Sequence, residues 1–526
     1  MLIMKTRIQK LLVGAALVAT TTLAQAQFTY TNNGNGTCTI NGYTGPGGAV
    51  TIPDSIAGLT VVSIGSEAFF YNHGLTSVTI PGSVTSIGNA AFLFCSGLTN
   101  ITLGSGVTSI GSGAFEDCTG LTSVTIPGSV TNIGGSAFFG CTNVTTYTVD
   151  PANSVYSSAD GVLFDKGQST LIQCPGVKTG SYAIPGSVTS IGSGAFFGCT
   201  SLTNVTIGSG VTSIGSEAFE SCTSLTSVAI PGSVTNIGDN VFYSCDSLTA
   251  ITVDPANSFY SSADGVLFDK NQSTLFRCPG GKTGSYVVPG SVTYIGAWAF
   301  EACYSLTSVT FGNGVTNIGD AAFFGCGGLT SVTIPGSVTS IGSSAFDYCT
   351  SLTNVTIGSG VTIIGSWAFE GCGSLTSVII PGSVTYIGDY AFSGCLSLST
   401  AFFLGNAPAF GADVFVEEID GVGYLPDPVT VYYLPGATGW GSVSFVFVSA
   451  ELWNPQASAL RVTGGHFGFD ITGPSYAVIV VEACTNLAQP FWLPVSTNAL
   501  NSSGASSFSD SESGNYPGRF YRFRSP

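Results

Sequence analysis

Charged side chains are scarce in this sequence of 526 residues. They make up 8% of the chain, against about 25% in average proteins, and Ser, Thr, Asn and Gly fill the positions expected to be exposed. Lysine and arginine are the scarcest charged residues. The chain has 12 of them and 29 aspartates and glutamates, which gives a net charge of −17. Nucleic acids and anionic lipids bind through cationic side chains, so this composition argues against either as a partner.

Residues and motifs that mark catalytic or metal sites are also missing. The only histidines are His73 and His466, neither in H-E-x-x-H, and C-x-x-C zinc spacing is absent. G-x-S-x-G, G-x-G-x-x-G and Walker loops are absent too. A glycosidase needs paired carboxylates in one enclosed place, whereas the candidate glutamates recur periodically: Glu116, Glu220, Glu301 and Glu370. We therefore predict no enzyme, with no catalytic residue, metal or cofactor.

Long apolar runs are absent after the N-terminus, where no stretch reaches the 18 or so apolar residues of a membrane-spanning helix. At the N-terminus, three basic residues precede the apolar run Leu11–Ala19, and an A-Q-A sequence ends at Ala26. This order predicts a secretory signal peptide at residues 1–26, cleaved near Ala26. A membrane anchor is less favoured because the run is short. We expect a secreted or cell-surface protein whose mature chain does not insert into the membrane.

What the sequence has in abundance is repetition. Ile-Gly pairs recur every 23 residues within three groups, and the groups are 58 residues apart, which is 23 plus an insert of 35. The isoleucines are Ile64, Ile87, Ile110, Ile133, Ile191, Ile214, Ile237, Ile295, Ile318, Ile341, Ile364 and Ile387. A fixed period of this length indicates a solenoid, in which each unit buries its apolar side only against its neighbours.

One repeat, Leu329–Cys349, reads LTSVTIPGSVTSIGSSAFDYC. Thr alternates with Val and Ile in LTSVTI, which predicts a strand that Pro-Gly-Ser ends. V-T-S-I predicts a second short strand, and S-S-A-F-D-Y-C predicts about one helical turn. The fold class is therefore mainly β: a solenoid of 23-residue coils, each with two short strands and a helical turn, with two β-hairpin inserts and a small C-terminal all-β domain.

The sequence of the repeat closely resembles that of one protein family. IGxxAFxxCxxLTxVTIPxSVTxIG is similar to the BspA-type leucine-rich repeats of bacterial surface and secreted proteins, over roughly residues 60 to 400. Leu329, Val332 and Ile334 also match the general leucine-rich-repeat core, L-x-x-V-x-I. The resemblance implies a binding or adhesive scaffold and specifies no partner.

The flanking segments differ from the repeats and predict further domains. Residues 27–59 alternate around Gly-rich turns and would cap the first coil. The solenoid would span 60–400, with inserts at 150–185 and 254–289. Residues 401–455 would cap its other end, and 456–526 would form a small β-sandwich-like module. The arginines of this module, Arg519, Arg522 and Arg524, would form either a docking face or simply its final strand.

Eleven cysteines occupy one column of the repeat, and we interpret them as a structural ladder: Cys95, Cys118, Cys141, Cys199, Cys222, Cys245, Cys303, Cys326, Cys349, Cys372 and Cys395. Coils about 4.8 Å apart would bring neighbouring thiols near disulfide range. Side chains in one column point the same way, however, so regular pairing would strain the stack. We favour free, buried thiols over partial cross-linking.

The two inserts carry equivalent aspartates and predict hairpins that project from the coil. The residues are Asp150, Asp160 and Asp165, with Asp254, Asp264 and Asp269 in the copy. They could form a calcium loop, but their spacing does not match the EF-hand template. Asp-Pro and Asp-Gly are ordinary turn sequences, and we favour that interpretation.

Columns that vary between repeats indicate the surface. The place after the repeat Phe holds Phe, Leu or Tyr in some coils and Glu, Asp or Ser in others, so we expect it to be at least partly exposed. Large side chains appear late in the solenoid around the Ile, with Ile363 beside the aromatic candidates for ligand binding: Tyr294, Trp298, Trp367, Tyr386 and Tyr390. Exposed Tyr and Trp often mark binding surfaces; the alternative is that the C-terminal domain or the second hairpin covers these rings.

These observations favour a non-catalytic secreted or cell-surface scaffold that presents repeat surfaces to a protein or glycan partner. Its mechanism would be multivalent display along rigid rows of side chains. Two alternatives remain open: an accessory protein of a carbohydrate-active enzyme, and a purely structural envelope component. Neither the partner nor the oligomeric state follows from the sequence.

Overall fold

A computed structural model describes residues 27–419, 423–426, 429–443, 450–473, 478–501, 503–516 and 518–524. The predicted signal peptide, residues 1–26, lies outside them. The described chain forms two compact units. Unit 1 comprises residues up to 272 together with 277–282, and unit 2 comprises 273–276 together with 283 onward.

Each regular coil contributes two parallel strands, one of three to five residues and one of two residues. A strand residue pairs with the residue 23 positions later, as Val332 does with Val355 and Ile341 with Ile364. Val and Ile point into the core and the intervening Thr points to solvent, because successive strand residues face opposite sides. The 23-residue period predicted from the sequence is therefore the repeat of the two sheets.

Unit 1 begins with a hairpin that starts one sheet, β1-β2-β5-β7-β9-β11; the second sheet is formed by β3-β6-β8 and β10-β12. Within the first insert, the sheets restart as β13-β14-β15-β17-β19-β21 and β16-β18-β20-β22. The strands are β1 Phe28–Asn32, β2 Thr37–Tyr43, β3 Gly48–Thr51, β4 Ser55–Ile56, β5 Leu59–Ile64, β6 Leu75–Thr79, β7 Ser86–Ile87, β8 Asn100–Thr102, β9 Ser109–Ile110, β10 Ser123–Ile126, β11 Asn132–Ile133, β12 Thr146–Val149, β13 Tyr156–Ala159, β14 Val162–Asp165, β15 Thr170–Gln173, β16 Gly180–Ala183, β17 Ser190–Ile191, β18 Leu202–Thr206, β19 Ser213–Ile214, β20 Ser227–Ile230, β21 Asn236–Ile237, β22 Ala250–Val253, β23 Tyr260–Ala263 and β24 Val266–Asp269.

Unit 2 continues with one sheet running from β25 through β27, β29, β31, β33 and β35 to β37, and another running β26-β28-β30-β32-β34-β36-β40-β41. Its strands are β25 Thr274–Arg277, β26 Gly284–Val287, β27 Tyr294–Ile295, β28 Leu306–Thr310, β29 Asn317–Ile318, β30 Ser331–Thr333, β31 Ser340–Ile341, β32 Asn354–Thr356, β33 Ile363–Ile364, β34 Ser377–Ile380, β35 Tyr386–Ile387, β36 Thr400–Phe403, β37 Ala409–Phe410, β38 Val416–Ile419, β39 Gly423–Pro426, β40 Thr430–Tyr433, β41 Ala450–Leu452, β42 Gln456–Thr463, β43 His466–Thr472, β44 Val478–Cys484, β45 Leu493–Ala499, β46 Ala505–Asp510 and β47 Phe520–Arg524, with 3-10 helices at Trp440–Ser442 and Ser513–Asn515.

The expected helical turn after each Ile-Gly pair is wrong. The A-F-x-x-C segment is a chain of tight turns with two left-handed residues, such as Ser344 at φ 53° and Tyr348 at φ 54°. Alternate N–H groups donate to the next coil, so Ser344 N reaches Ser366 O at 2.8 Å and Tyr348 N reaches Glu370 O at 2.9 Å. An α-helix would use these donors within its own segment, which would leave neighbouring coils unlinked.

Phenylalanines fill the core behind these turns. In unit 2, Phe323 and Phe346 stack with ring centroids 5.0 Å apart, and Phe346 and Phe369 stack at 5.2 Å, each pair within 4° of parallel. All three rings are fully buried. Burying such a side chain stabilises the fold by roughly 1.5–3 kcal/mol. The row of stacked phenylalanine rings therefore contributes much of the stability of packing between neighbouring coils.

The first insert contains the hairpin predicted from the sequence, but this hairpin is part of the solenoid, so the expectation that it projects from the coil is wrong. β13, β14 and β15 pair antiparallel in turn, and β15 then pairs parallel with β17 of the next coil. Val162, Leu163 and Phe164 of β14 are completely buried. Asn153 anchors the segment, because its Nδ2 donates to Pro127 O and Val130 O and its Oδ1 accepts from two backbone N–H groups.

The C-terminal residues form two three-stranded antiparallel sheets, β42-β43-β46 and β45-β44-β47. Their core is continuous with the end of the solenoid, where Phe402, Tyr432 and Trp453 pack with Phe469 and Ile471. The three arginines belong to the end of this module. Arg519 pairs with buried Asp510, and Arg522 and Arg524 pair with buried Glu482, as β47 closes the second sheet.

Candidate ligand-binding surface

Two rows of side chains on unit 2 contain all the aromatic residues that the sequence singled out. The strand row, Tyr294, Asn317, Ser340, Ile363 and Tyr386, follows the register of β27, β29, β31, β33 and β35. The turn face consists of the segments between Ile-Gly and the next Leu: residues 297–305, 320–328, 343–351, 366–374 and 389–397. Trp298, Trp367 and Tyr390 lie on this turn face.

The strand row exposes its large side chains. Tyr294 is 39% exposed, Ile363 44% and Tyr386 40%. Ile363 pairs with Tyr386 across adjacent coils, whereas Asn317 and Ser340 separate Tyr294 from them. The structure therefore brings together two of these three side chains and leaves Tyr294 on its own.

On the turn face, too, two of the three aromatic residues lie together and the third is separate from them. Trp367 and Tyr390 are stacked with centroids 6.0 Å apart and planes within 6°, and Trp367 is 41% exposed in the whole chain. Tyr390 and Trp298 are half-buried. Trp298 instead contacts Phe324 at 5.6 Å. The pair Trp367 and Tyr390 lies in the same two coils as the pair Ile363 and Tyr386, and we refer to these four residues as the aromatic surface.

The aromatic residues of the turn face occupy an unfavourable backbone conformation. Trp298, Trp367 and Tyr390 have φ values of 58°, 57° and 55°. Glycine fills the equivalent place at Gly113 and Gly194 in unit 1, at φ 60° and 61°. A non-glycine residue in this region costs roughly 1–2 kcal/mol, so three bulky rings stand where the fold itself favours glycine. Strain of this kind often accompanies function.

Sequence reasoning missed Tyr348. Its ring is 54% exposed and lies over Gly371, where an added Cβ would be 3.2 Å from Tyr348 Cδ1. Its backbone is also left-handed, at φ 54°. The 23-residue spacing could have revealed it, because Gly325, Gly371 and the residue at 348 share one column, in which an aromatic residue is the exception.

The expectation that the column after the repeat Phe is at least partly exposed is wrong at three of its five positions in unit 2 and holds at the other two, Phe324 and Glu370, which are half-buried. Glu301, Asp347 and Ser393 are buried, at 2%, 5% and 2% exposure. Asp347 Oδ1 has no hydrogen-bond partner. Burial, and then the neighbouring Glu370 carboxylate, raise the pKa of Asp347 to about 7. Hydrogen bonds from the Ser344 side chain and the Tyr348 backbone act in the opposite direction but do not cancel this rise in the pKa.

Basic residues do not occur on the coils at all. Between residues 27 and 460 they are confined to the inserts: Lys166, Lys178, Lys270, Arg277 and Lys282. Two of these lysines form ion pairs with an aspartate of their own insert. Lys178 pairs with Asp160, and Lys282 Nζ lies 2.8 Å from Asp264 Oδ2. The coil carboxylates therefore have no lysine or arginine within the regular repeats.

The insert aspartates make turn contacts, which favours the turn interpretation over a calcium loop. Asp150 Oδ1 accepts from Ala152 N at 2.8 Å, and Asp165 accepts from Ser169 Oγ and Thr170 N at 2.7 and 2.6 Å. Asp254 repeats the first contact in the second insert. In the described part of the chain, no three carboxylate, imidazole or thiol side chains converge as a metal-binding set.

The thiol ladder has a bonding pattern that the sequence did not reveal. Its members are all buried: Cys95, Cys118, Cys141, Cys199, Cys222, Cys245, Cys303, Cys326, Cys349, Cys372 and Cys395. Cys349 Sγ donates to Phe323 O at 3.2 Å, and Cys326 Sγ to Phe300 O at 3.0 Å, in each case a carbonyl 26 residues earlier. Burial raises the pKa of Cys141 and Cys372, which keeps these thiols protonated and unreactive.

Stacked two-strand coils around a core of Leu, Val, Ile, Phe and Cys define a parallel β-solenoid scaffold of the leucine-rich-repeat type. The model of the BspA type leucine rich repeat region matches residues 54–165, 173–280 and 270–399, which is more than half of the chain. This chain belongs to that family. Within the described residues, we find no helix long and apolar enough to cross a bilayer.

Solved structures of bacterial proteins are similar to this chain. A leucine rich cell surface protein from Faecalibacterium prausnitzii is 32% identical, over 72% of this chain and 94% of its own, with a TM-score of 0.50. A leucine-rich repeat protein from Eubacterium ventriosum is 25% identical over 61% and 92%, with a TM-score of 0.43. The pneumococcal vaccine antigen PcpA is 20% identical over 78% and 92%, with a TM-score of 0.35. No curated protein gave a significant match.

Proposed function

We propose that this protein is a non-catalytic binding scaffold, secreted or held at the cell surface, that contacts a protein or glycan partner through the aromatic surface of unit 2. The observation that carries the proposal is the stacked pair of Trp367, which is exposed, and Tyr390, which is half-buried. Both rings stand at left-handed positions, where glycine would cost less, so packing alone does not account for them. The name of the Faecalibacterium prausnitzii relative, a cell surface protein, supports the location.

Tyr294 and Trp298 extend the same surface as a second contact three coils away. At about 4.8 Å per coil, the two contacts are roughly 14 Å apart, so a chain-like partner could touch both. Contacts made along a rigid row add their free energies through a high effective concentration. Display of this kind uses the periodicity of the solenoid and requires no enclosed pocket.

The test is binding of the whole chain to arrays of glycans and extracellular-matrix proteins, with wild type compared to Trp367→Gly/Tyr390→Gly. Glycine fits the backbone at both positions, so the variant should fold with unchanged or higher thermal stability. The matched control is Asn240→Gly, at the equivalent left-handed position of another coil, φ 55°. Loss of array binding in the double variant alone supports the proposal; equal binding by all three proteins would refute it.

A further inference from the structure

We propose that a pocket of unit 1, where strand β20 meets the start of the second insert, binds one sugar residue of an uncharged glycan. The pocket is open to solvent and has a volume of about 360 Å³. Ala229, Thr252 and Asp254 line it, together with apolar neighbours that include Ile207, Ile230 and Pro255. It contains no residue of the aromatic surface, so this inference goes beyond the proposed function.

The pocket lies where the strands of one sheet stop pairing. β20 is paired on both sides, with β18 and with β22. Asp254 follows β22 directly, and its N–H donates to Ile230 O at 2.9 Å, at the end of β20. Pro231 and Pro255 come next in the two chains. Proline has no N–H for the sheet, so the pairing ends here and the pocket opens.

One residue of the pocket departs from the pattern of the solenoid. Ala229 pairs with Thr252, and the residue 23 positions before Ala229 is Thr206, so alanine lies between two threonines of one column. The first insert also begins with Asp-Pro, at Asp150, but there the residue equivalent to Ala229 is Thr125. A threonine at position 229 would add a hydroxyl and a methyl group to the pocket wall, so the alanine enlarges the pocket.

Two polar side chains complete the apolar walls. Thr252 is exposed, and its hydroxyl donates to Val228 O at 3.4 Å, so its oxygen can still accept a hydrogen bond. Asp254 is also exposed, and its Oδ1 accepts from Ala256 N at 2.8 Å. A carboxylate accepts several hydrogen bonds at once. Apolar walls with a few polar groups, in a volume of about 300–1,000 Å³, are typical of small-ligand sites.

The charges around the pocket favour an uncharged ligand. None of the lining residues is basic, so an anion would meet the Asp254 carboxylate without compensation. A cation is disfavoured by Lys270, whose Nζ donates to Pro255 O at 3.1 Å beside the pocket. A metal ion needs more oxygen ligands than one carboxylate and one hydroxyl supply.

Among uncharged ligands, a sugar uses every part of the pocket. The C–H face of a pyranose ring can pack on the apolar wall, and its hydroxyls can donate to Thr252 and Asp254. A wholly apolar ligand would remove water from the Asp254 carboxylate without replacing its hydrogen bonds. A peptide could not add to the sheet as a new strand, because β20 already has a neighbour on each side.

The test is saturation-transfer NMR of the whole chain with three uncharged probes, cellohexaose, mannohexaose and xylohexaose. We expect at least one of them to bind. Ala229→Thr fills the pocket and should weaken that binding at least tenfold. Asp254→Asn keeps an oxygen for Ala256 N but loses the charge, and should weaken it roughly tenfold, the value of one charge-assisted hydrogen bond.

The chain offers a matched control for each variant. Ala183→Thr makes the same substitution in the same column, next to Thr206, and Ala183 does not line the pocket. Asp150→Asn makes the same change in the first insert, where Asp150 Oδ1 also accepts from a backbone N–H two residues later. Both controls should bind the sugar as wild type does, and thermal unfolding checks that all four variants fold.

Three outcomes would overturn the inference: no binding of any of the three probes, binding that Ala229→Thr leaves unchanged, or binding of a ten-residue proline peptide in the pocket in place of the sugars. The Trp367→Gly/Tyr390→Gly variant separates this site from the proposed function. It should bind the hexasaccharide as wild type does. If it loses the hexasaccharide while Ala229→Thr retains it, the aromatic surface holds the sugar and only the pocket is wrong.

Discussion

The buried carboxyl group of Asp347 should make the stability of unit 2 depend on pH. In the folded chain its pKa rises from an ordinary 3.8 to about 7, so the folded state holds this proton more tightly than the unfolded state. Below about pH 4 both states are protonated and the group has no effect. Between pH 4 and 7 the unfolded state loses its proton first, so stability falls as pH rises. Above about pH 7 both states are deprotonated, and stability no longer changes with pH through this group.

The magnitude follows from the difference of about three units, which corresponds to at most about 4 kcal/mol at 1.36 kcal/mol per unit. Asp347→Asn removes the charge at nearly constant shape. Urea unfolding followed by tryptophan fluorescence, from pH 4 to 8, should show a variant that matches wild type at pH 4 and exceeds it by up to this amount at pH 8. Glu67→Gln, at an exposed carboxylate, serves as the control and should show no such gap.

A gap that is the same at pH 4 and pH 8, or no gap at all, would refute this reasoning. It would mean that Asp347 is either solvated or paired in the folded protein. The difference between variant and wild type isolates this residue from other groups that titrate in the same range.

Three further predictions concern the scaffold. Asn153→Ala leaves several buried backbone groups unpaired and should lower the free energy of unfolding by about 2–4 kcal/mol. The control Asn143→Ala, at an exposed residue, should lower it by less than about 1 kcal/mol. Urea unfolding measures both values, and equal losses would contradict the anchoring role of Asn153. Native thiols should resist iodoacetamide for hours and react fully in urea, as mass spectrometry would show; fast native labelling would contradict their burial. Cys349→Ala removes the hydrogen bond to Phe323 and should lower stability by about 1–2 kcal/mol, and an unchanged midpoint would show that this contact contributes nothing.

The coil and its stacking could be predicted from the sequence because both depend on one spacing. Each Ile lies 23 residues from the next, and the structure pairs Ile341 with Ile364. The same arithmetic places Trp367 beside Tyr390 and separates both from Trp298. The compact turn could not be predicted, because its N–H groups bond to a neighbouring coil. The recurrence of glycine, as at Gly113 and Gly194, was the one sequence signal of a left-handed residue there.

The burial of Asp347 escaped sequence reasoning for a related reason. A column that accepts both Phe and Glu looks like a surface position when each coil is considered alone. In the stack, the exposure of one member depends on its two neighbours, and Asp347 lies between Phe324 and Glu370. The prediction for the first insert was wrong for the same reason, because the neighbouring coils were not considered. Its alternating strands resemble a free hairpin, whereas Val162 and Phe164 complete the core of the solenoid.

The most direct test of the binding account is a hydrogen-exchange footprint of the whole chain, with and without a partner selected on the arrays. We predict that protection concentrates in residues 294–298, 363–374 and 386–390 of unit 2. The rest of the solenoid should exchange equally in both states. Protection confined to other regions, with these segments unchanged in the complex, would contradict the account.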